Sequence, residues 1–260
     1  MTLVACWIRR FPSTQELLIA ADSRLTGGSR WDACPKIFQL GITRSVMCFA
    51  GRTRFAYPVL QQLQVSVNAY SKARSGVLDI GELRSHIVAV LNGVIEQMGD
   101  FAKGLRLEDE VATVFVLAGY SWRHASFRMF EITYAKEHNR FAYINHSTKR
   151  RGPILFAGDY IAEARDLLKI KRRTATLNME PFEVVRDMSL SPKYYEIGGP
   201  TQFIRMGMHG SVMPVCVYWP ARHGGRLTLM GRPLLPYERY PFMRLDARTL
   251  QEIRGYTYTE

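Results

Sequence analysis

TLVACWI (Thr2–Ile8) and LLIAADSR (Leu17–Arg24) decide how the rest of the chain is read. Both are short runs of apolar and small residues, and FPSTQE (11–16) separates them with the turn formers Pro12 and Ser13. The pair predicts two strands joined as a hairpin. The first strand begins directly behind Met1, although most chains open with a few residues that take no part in structure. The second ends in Ala-Asp-Ser-Arg, which puts charge at the close of an apolar strand.

Working outward, KIFQLG (36–41) and RSVMCFAG (44–51) predict a further strand pair. Two helical stretches follow. FAYPVLQQLQVSVNAYSKA (55–73) places Val59, Leu63, Val67 and Tyr70 at three- or four-residue steps, and DIGELRSHIVAVLNGVIEQM (79–98) repeats the pattern with Leu83, Ile87, Val90, Leu91 and Ile95. Asp79 with Glu82 three residues on has the spacing of a capping box. Strand character returns in VATVFVLAGYS, SFRMFEITYA, RFAYINHS and PILFAG. Two more helices are expected in DYIAEARDLLKIK, with Asp159 as its cap, and in EPFEVVRDMSL. TQFIRMGM, MPVCVYWP and GRLTLMG close the series as strands.

The order is strands, two helices, strands, two helices, strands. Strands grouped as neighbours, not alternating singly with helices, argue against a doubly wound parallel sheet. They predict an α+β fold, a four-layer αββα sandwich of two antiparallel sheets between helix pairs. No internal repeat or low-complexity linker divides the chain, so residues 1–260 read as one domain. Residues 232–260, rich in Pro, Tyr and Arg, read as a C-terminal extension with one strand and a short helix near Ala247 to Ile253.

The 260 residues are 47% hydrophobic, enough for a sizeable core. No apolar span approaches membrane length, and the basic pair Arg9-Arg10 follows the first apolar residues where a signal peptide would have it precede them. Cys6, Cys34, Cys48 and Cys216 lack CxxC pairing and read as buried thiols of a reducing compartment, so the expected location is the cytoplasm. The net charge of +12 is compatible with an acidic partner. Yet the densest clusters, Lys149–Arg151 and Lys169–Arg173, are short and carry no interleaved aromatics, so they read as a solvated face and not a nucleic-acid surface. The six histidines form neither HxH nor HExxH spacing, so no metal or other cofactor is expected.

An initiator Met is normally removed when the next residue is small, which would make Thr2 the N-terminus. Its hydroxyl is a weak nucleophile alone, but its own α-amine, with a free pKa of about 8, can take the proton directly or through a water. Nucleophile and base then share one residue at a chain end. A retained Met1 would leave Thr2 without that amine.

The ordered set resembles proteasome β-subunits and their bacterial relatives, which are N-terminal nucleophile hydrolases. It comprises Thr2, the hairpin ending in ADSR, Pro35-Lys36-Ile37, and CFAG ahead of a long helix. VFVLAGYS, FAGDYIAEARDLL and EIGGPTQFIRM follow in the family's order, so the resemblance covers most of the chain. It implies the four-layer sandwich and hydrolysis of a peptide or amide substrate through an acyl-enzyme ester. Thr2 then corresponds to the nucleophile, Lys36 to the positive charge beside its hydroxyl, and Asp22 to the carboxylate that holds the lysine. Arg24 supports the loop, and the Gly51 N–H donates to the oxyanion. A homo-oligomeric ring or stacked assembly is implied too, with helices such as YIAEARDLLK at its faces and an unfoldase partner left open.

The sequence departs from the family where Ala157 stands for an expected Ser, and Tyr194 and Ile197 for an expected Asp and Ser near the amine. Ser191 and Glu196 are the available replacements. The departures carry an alternative reading, a catalytically decayed assembly or binding component.

Overall fold

The structure is a computed structural model that describes residues 2–27, 29–41, 43–100, 104–149, 152–241 and 243–253. In chain order the first half holds β1 (Leu3–Arg10), β2 (Gln15–Ala21), β3 (Leu25–Gly27), β4 (Ser29–Trp31), β5 (Ile37–Gln39), β6 (Ser45–Gly51), α1 (Thr53–Ala69), α2 (Ser71–Arg74), α3 (Ile80–Ile95) and α4 (Leu107–Glu110). The second holds β7 (Thr113–Ser121), β8 (Ser126–Ala135), β9 (Arg140–His146), β10 (Ile154–Gly158), α5 (Ile161–Lys171), α6 (Glu180–Leu190), β11 (Gln202–Gly207), β12 (Val212–Pro214), β13 (Cys216–Trp219), β14 (Arg226–Leu229), β15 (Arg232–Pro233), β16 (Arg244–Asp246) and β17 (Glu252–Ile253).

Two five-stranded antiparallel sheets form the middle, ordered β10-β1-β2-β11-β12 and β5-β6-β7-β8-β9. The unbroken apolar run of β1 follows from its position. Successive side chains of a strand face opposite ways. Val4, Cys6 and Ile8 fill the space between the sheets with Cys48, Val116 and Met129, while Leu3, Ala5 and Trp7 face Phe182, Val185 and Met188 of α6. A strand covered on both faces has no solvent side, so it shows no polar alternation. On the other outer face, α1 and α3 pack Leu63, Ile87 and Leu91 against Phe49, Phe115 and Ile132. The molecule is therefore helix, sheet, sheet, helix.

Several local expectations change. MPVCVYWP is not one strand: Val215 still donates its N–H to Phe203 O beside β11, and Cys216 then turns to Met243 O. From there β13 enters a third sheet, ordered β15-β14-β13-β16-β17, whose β13–β16 pair is parallel. The expected two-sheet sandwich is present, and this third five-stranded sheet and the small β3–β4 ribbon add to it. The 232–260 segment supplies three of that sheet's strands, and Ala247–Ile253 forms turn and strand, not a helix. Leu245 and Ala247 join the core on the α6 side with Val215 and Val217, which explains why the segment leaves solvent.

The capping box of α3 forms as its spacing predicts, with Asp79 accepting from Gly81 N–H and Glu82 reaching back to Asp79 N–H. The cap expected at Asp159 does not form. Helix α5 starts one residue later, and Tyr160 at its N-cap is left-handed with no side-chain cap. Among the described residues no helix is long and apolar enough to cross a membrane.

Candidate active site

Thr2 lies just before β1, held from two neighbouring strands. On the β2 side, Asp22 N–H donates to Leu3 O at 3.3 Å, and Leu3 N–H donates to Asp22 Oδ1 at 3.0 Å. On the β10 side, Asp159 grips Thr2 by both its backbone nitrogen and its carbonyl oxygen. Its N–H donates to Thr2 O at 2.8 Å, and its Oδ2 accepts from Thr2 N at 2.7 Å. Gly158 makes this approach possible: it sits at φ +110°, and a Cβ there would overlap the Thr2 carbonyl. Thr2 is fully buried.

Lys36 opens β5, and its Nζ reaches both Asp22 oxygens, at 2.9 and 3.0 Å. Neither side chain has any solvent exposure. Burying an ion pair is costly unless the remaining lone pairs are also satisfied. Here they are: Leu3 N–H serves Oδ1, while Arg24 N–H and Gly198 N–H serve Oδ2 at 3.1 and 3.2 Å. Burial pulls the Lys36 ammonium below the ordinary lysine value, and the charge and hydrogen bonds of Asp22 oppose that pull.

Gln202, at the start of β11, ties these segments together. Its Oε1 accepts from Lys36 N–H at 2.9 Å, and its Nε2 donates to Asp22 O and Cys34 O at 3.1 and 2.7 Å. Arg24 turns away from the Lys36 pair and forks onto Asp32, with Nε at 2.6 Å and the second nitrogen at 2.9 Å. It also donates to Tyr195 O at 2.7 Å. The Asp32 partnership raises the Arg24 guanidinium pKa, and the same contact holds Asp32 below the usual carboxylate range. A Cβ at Gly198 would strike the Arg24 guanidinium, so Gly198 serves both this fork and the Asp22 contact.

Gly51 ends β6 at φ +131°, where a Cβ would overlap Ala112 O. It lines an open cleft of about 400 Å³ together with Ala50, Thr113, Gly158 and Asp159. Thr2 does not itself line this cleft, but Asp159, which grips its backbone, and Gly158, which packs against its carbonyl, do.

The structure thus gathers Thr2, Asp22 and Lys36 at one end of the sandwich, with Arg24 attached through its own N–H and Gly51 at the cleft. Sequence reasoning missed Asp159 and Gln202. A carboxylate after a strand ending in glycine looks like a helix cap, and a glutamine inside a strand carries no local signal. Ala157 is buried between the sheets, while Tyr194 and Ile197 belong to the core under α6. Of the two suggested replacements, Ser191 Oγ accepts from Lys193 N–H at 3.3 Å and Glu196 accepts from the Tyr160 hydroxyl at 2.7 Å.

The layer order and the hairpin placement of residue 2 define a proteasome-like fold. Two Anbu subunits are among the solved structures similar to it. An Anbu (Gly-1) mutant from Hyphomicrobium sp. strain MC1 aligns with a TM-score of 0.60 and 12% identity over 89% of this chain and 87% of that one. Anbu, an ancestral beta-subunit, from Yersinia bercovieri aligns with a TM-score of 0.59 and 14% identity over 82% of this chain and 87% of that one. No protein-family model and no curated protein matches the sequence. At these identities the likeness establishes the fold alone.

Proposed function

We propose that the chain, acting as one unit over residues 1–260, is a threonine-nucleophile hydrolase of amide or peptide bonds once Met1 is removed. The observation that carries this reading is the fully buried Lys36–Asp22 pair, whose carboxylate also holds the backbone N–H next to Thr2. A buried ion pair is weak as a source of stability. The reading assigns the lysine the role of a fixed positive charge for the hydroxyl that must lose a proton.

In the proposed reaction Thr2 Oγ1 attacks the substrate carbonyl carbon while the Thr2 α-amine takes the hydroxyl proton. The carbonyl π pair moves onto oxygen, where the Gly51 N–H donates to it. The C–N bond then breaks, the leaving amine receives the proton, and an ester to Thr2 remains. Water, deprotonated by the same amine, hydrolyses that ester and regenerates Oγ1–H. The reading carries a homo-oligomeric assembly, in keeping with the proteasome-like fold, and a cytoplasmic location, which the four free, buried cysteines favour.

Thr2→Ala tests the reading. Turnover of small peptide or amide reporters should vanish while circular dichroism and melting stay as in the parent; unchanged turnover would refute it. The core positions of Ala157, Tyr194 and Ile197 favour the second reading, an assembly component without turnover. Intact mass separates the two, because a retained Met1 leaves no α-amine at Thr2.

A further inference from the structure

We propose that Asp159 is the counter-charge of the Thr2 α-amine and sets the pH above which that amine can act as a base. The proposal rests on the part of that reading that makes Thr2 the N-terminal residue, and it assigns a role to a residue outside the Thr2–Asp22–Lys36 set. Asp159 Oδ2 is 2.7 Å from Thr2 N, and the reciprocal bond from Asp159 N–H to Thr2 O fixes the approach. Loss of Met1 leaves this nitrogen where it is and turns it into an ammonium facing a carboxylate.

The backbone around Asp159 is shaped for that placement. Gly158 before it has no room for a side chain, and Tyr160 after it is held left-handed at φ +56°. Left-handed backbone is unfavourable for a tyrosine. Its hydroxyl bond to Glu196 and its ring contact with Tyr194 hold it there. A helix cap would have turned the carboxylate toward α5; this backbone turns it toward Thr2.

Charges reach this place from several elements. Asp22 follows β2 and Lys36 opens β5, and these two pair with each other. Arg24 is matched by Asp32. In the cleft, Glu108 is engaged by Arg106 and Lys136, and Asp109 by Arg106. Glu196 accepts from Tyr160. Asp159 makes no ion pair with a basic side chain among the described residues, although its charge is also felt at Lys36. One negative charge therefore stands in excess beside Thr2. An opposite charge at hydrogen-bond distance favours the protonated amine. The amine then titrates above its ordinary value of about 8, and the free base appears only at alkaline pH.

The test uses the purified chain, with its N-terminal residue established by intact mass, labelled with 13C-threonine. The Thr2 resonance is assigned by its loss in Thr2→Ser and followed from pH 5 to 11, beside the pH profile of reporter hydrolysis. The midpoint should lie above about 8 in the parent, fall by about one pH unit or more in Asp159→Asn, and recover in part in Asp159→Glu. The acid limb of kcat/KM should move the same way. Asp159→Ser replaces the Asn variant if that one does not fold. Equal midpoints in the parent and the neutral variants, or a retained Met1, overturn the proposal. A midpoint that moves as expected without Thr2-dependent turnover upholds the counter-charge and refutes the hydrolase reading. Thr2-dependent turnover with an unmoved midpoint does the reverse.

Discussion

Lys36 and Asp22 show how much one pair of side chains can be asked to do. Removing the lysine leaves a carboxylate that still accepts three backbone N–H groups but has lost its positive partner. Lys36→Met should therefore lower stability by about 3–5 kcal/mol, as breaking a buried pair does. It should also remove turnover even in the fraction that remains folded. Urea unfolding and reporter hydrolysis on the same sample check both; a loss below about 1 kcal/mol would mean that Asp22 had found another cation. At this scale Thr2, Asp22 and Lys36 stood out only as an ordered set that resembles a known family, since each alone reads as an ordinary polar residue beside an apolar strand. Asp159 did not. Its carboxylate serves a backbone nitrogen 157 positions away, and nothing in GDY separates that role from a helix cap.

Among the elements, α3 is the clearest case of local sequence agreeing with tertiary need. Asp79 caps the helix, and the same carboxylate accepts from Ser121 Oγ at 3.0 Å to each oxygen. The cap thus ties the start of α3 to the end of β7. Loss of a helix cap alone costs about 0.5–2 kcal/mol, and the Ser121 hydroxyl, which would keep only the bond it accepts from His124 N–H, adds about 1–3 kcal/mol for its lost acceptor. Asp79→Ala should fall near 2–4 kcal/mol by denaturant unfolding, and Ser121→Ala in that background should cost only about 1 kcal/mol more, for the bond accepted from His124 N–H, less than it costs in the parent. Additive losses in the double variant would show that the two residues act separately. Periodicity and spacing made α3 readable from sequence. The break in MPVCVYWP was not, because Val215 stays with Phe203 beside β11 while Cys216 leaves for Met243, a partner beyond residue 240.

Across the whole molecule, the third sheet shows the chain beyond residue 231 sealing the outer face. Leu245 and Ala247 complete the core that Trp7, Phe182 and Phe203 begin. Trp7 and Phe203 stack at 6.1 Å between ring centroids, and Phe182 meets Phe203 edge-on at 5.1 Å. Ending the chain after Gly231 should expose this cluster. The truncated protein should melt several degrees lower and bind a hydrophobic dye in its native state; equal melting and no dye binding would mean that the third sheet is dispensable.

By itself the sequence determined the block order of strands and helices, the opening hairpin and the polar residues at its ends, because apolar runs, turn formers and caps act on near neighbours. Only the tertiary structure decided that Asp159 faces Thr2, that Gln202 binds three segments together, and that the tail forms a sheet. Those contacts join residues far apart in the chain, and their partners are chosen by how the layers pack, which no short stretch encodes.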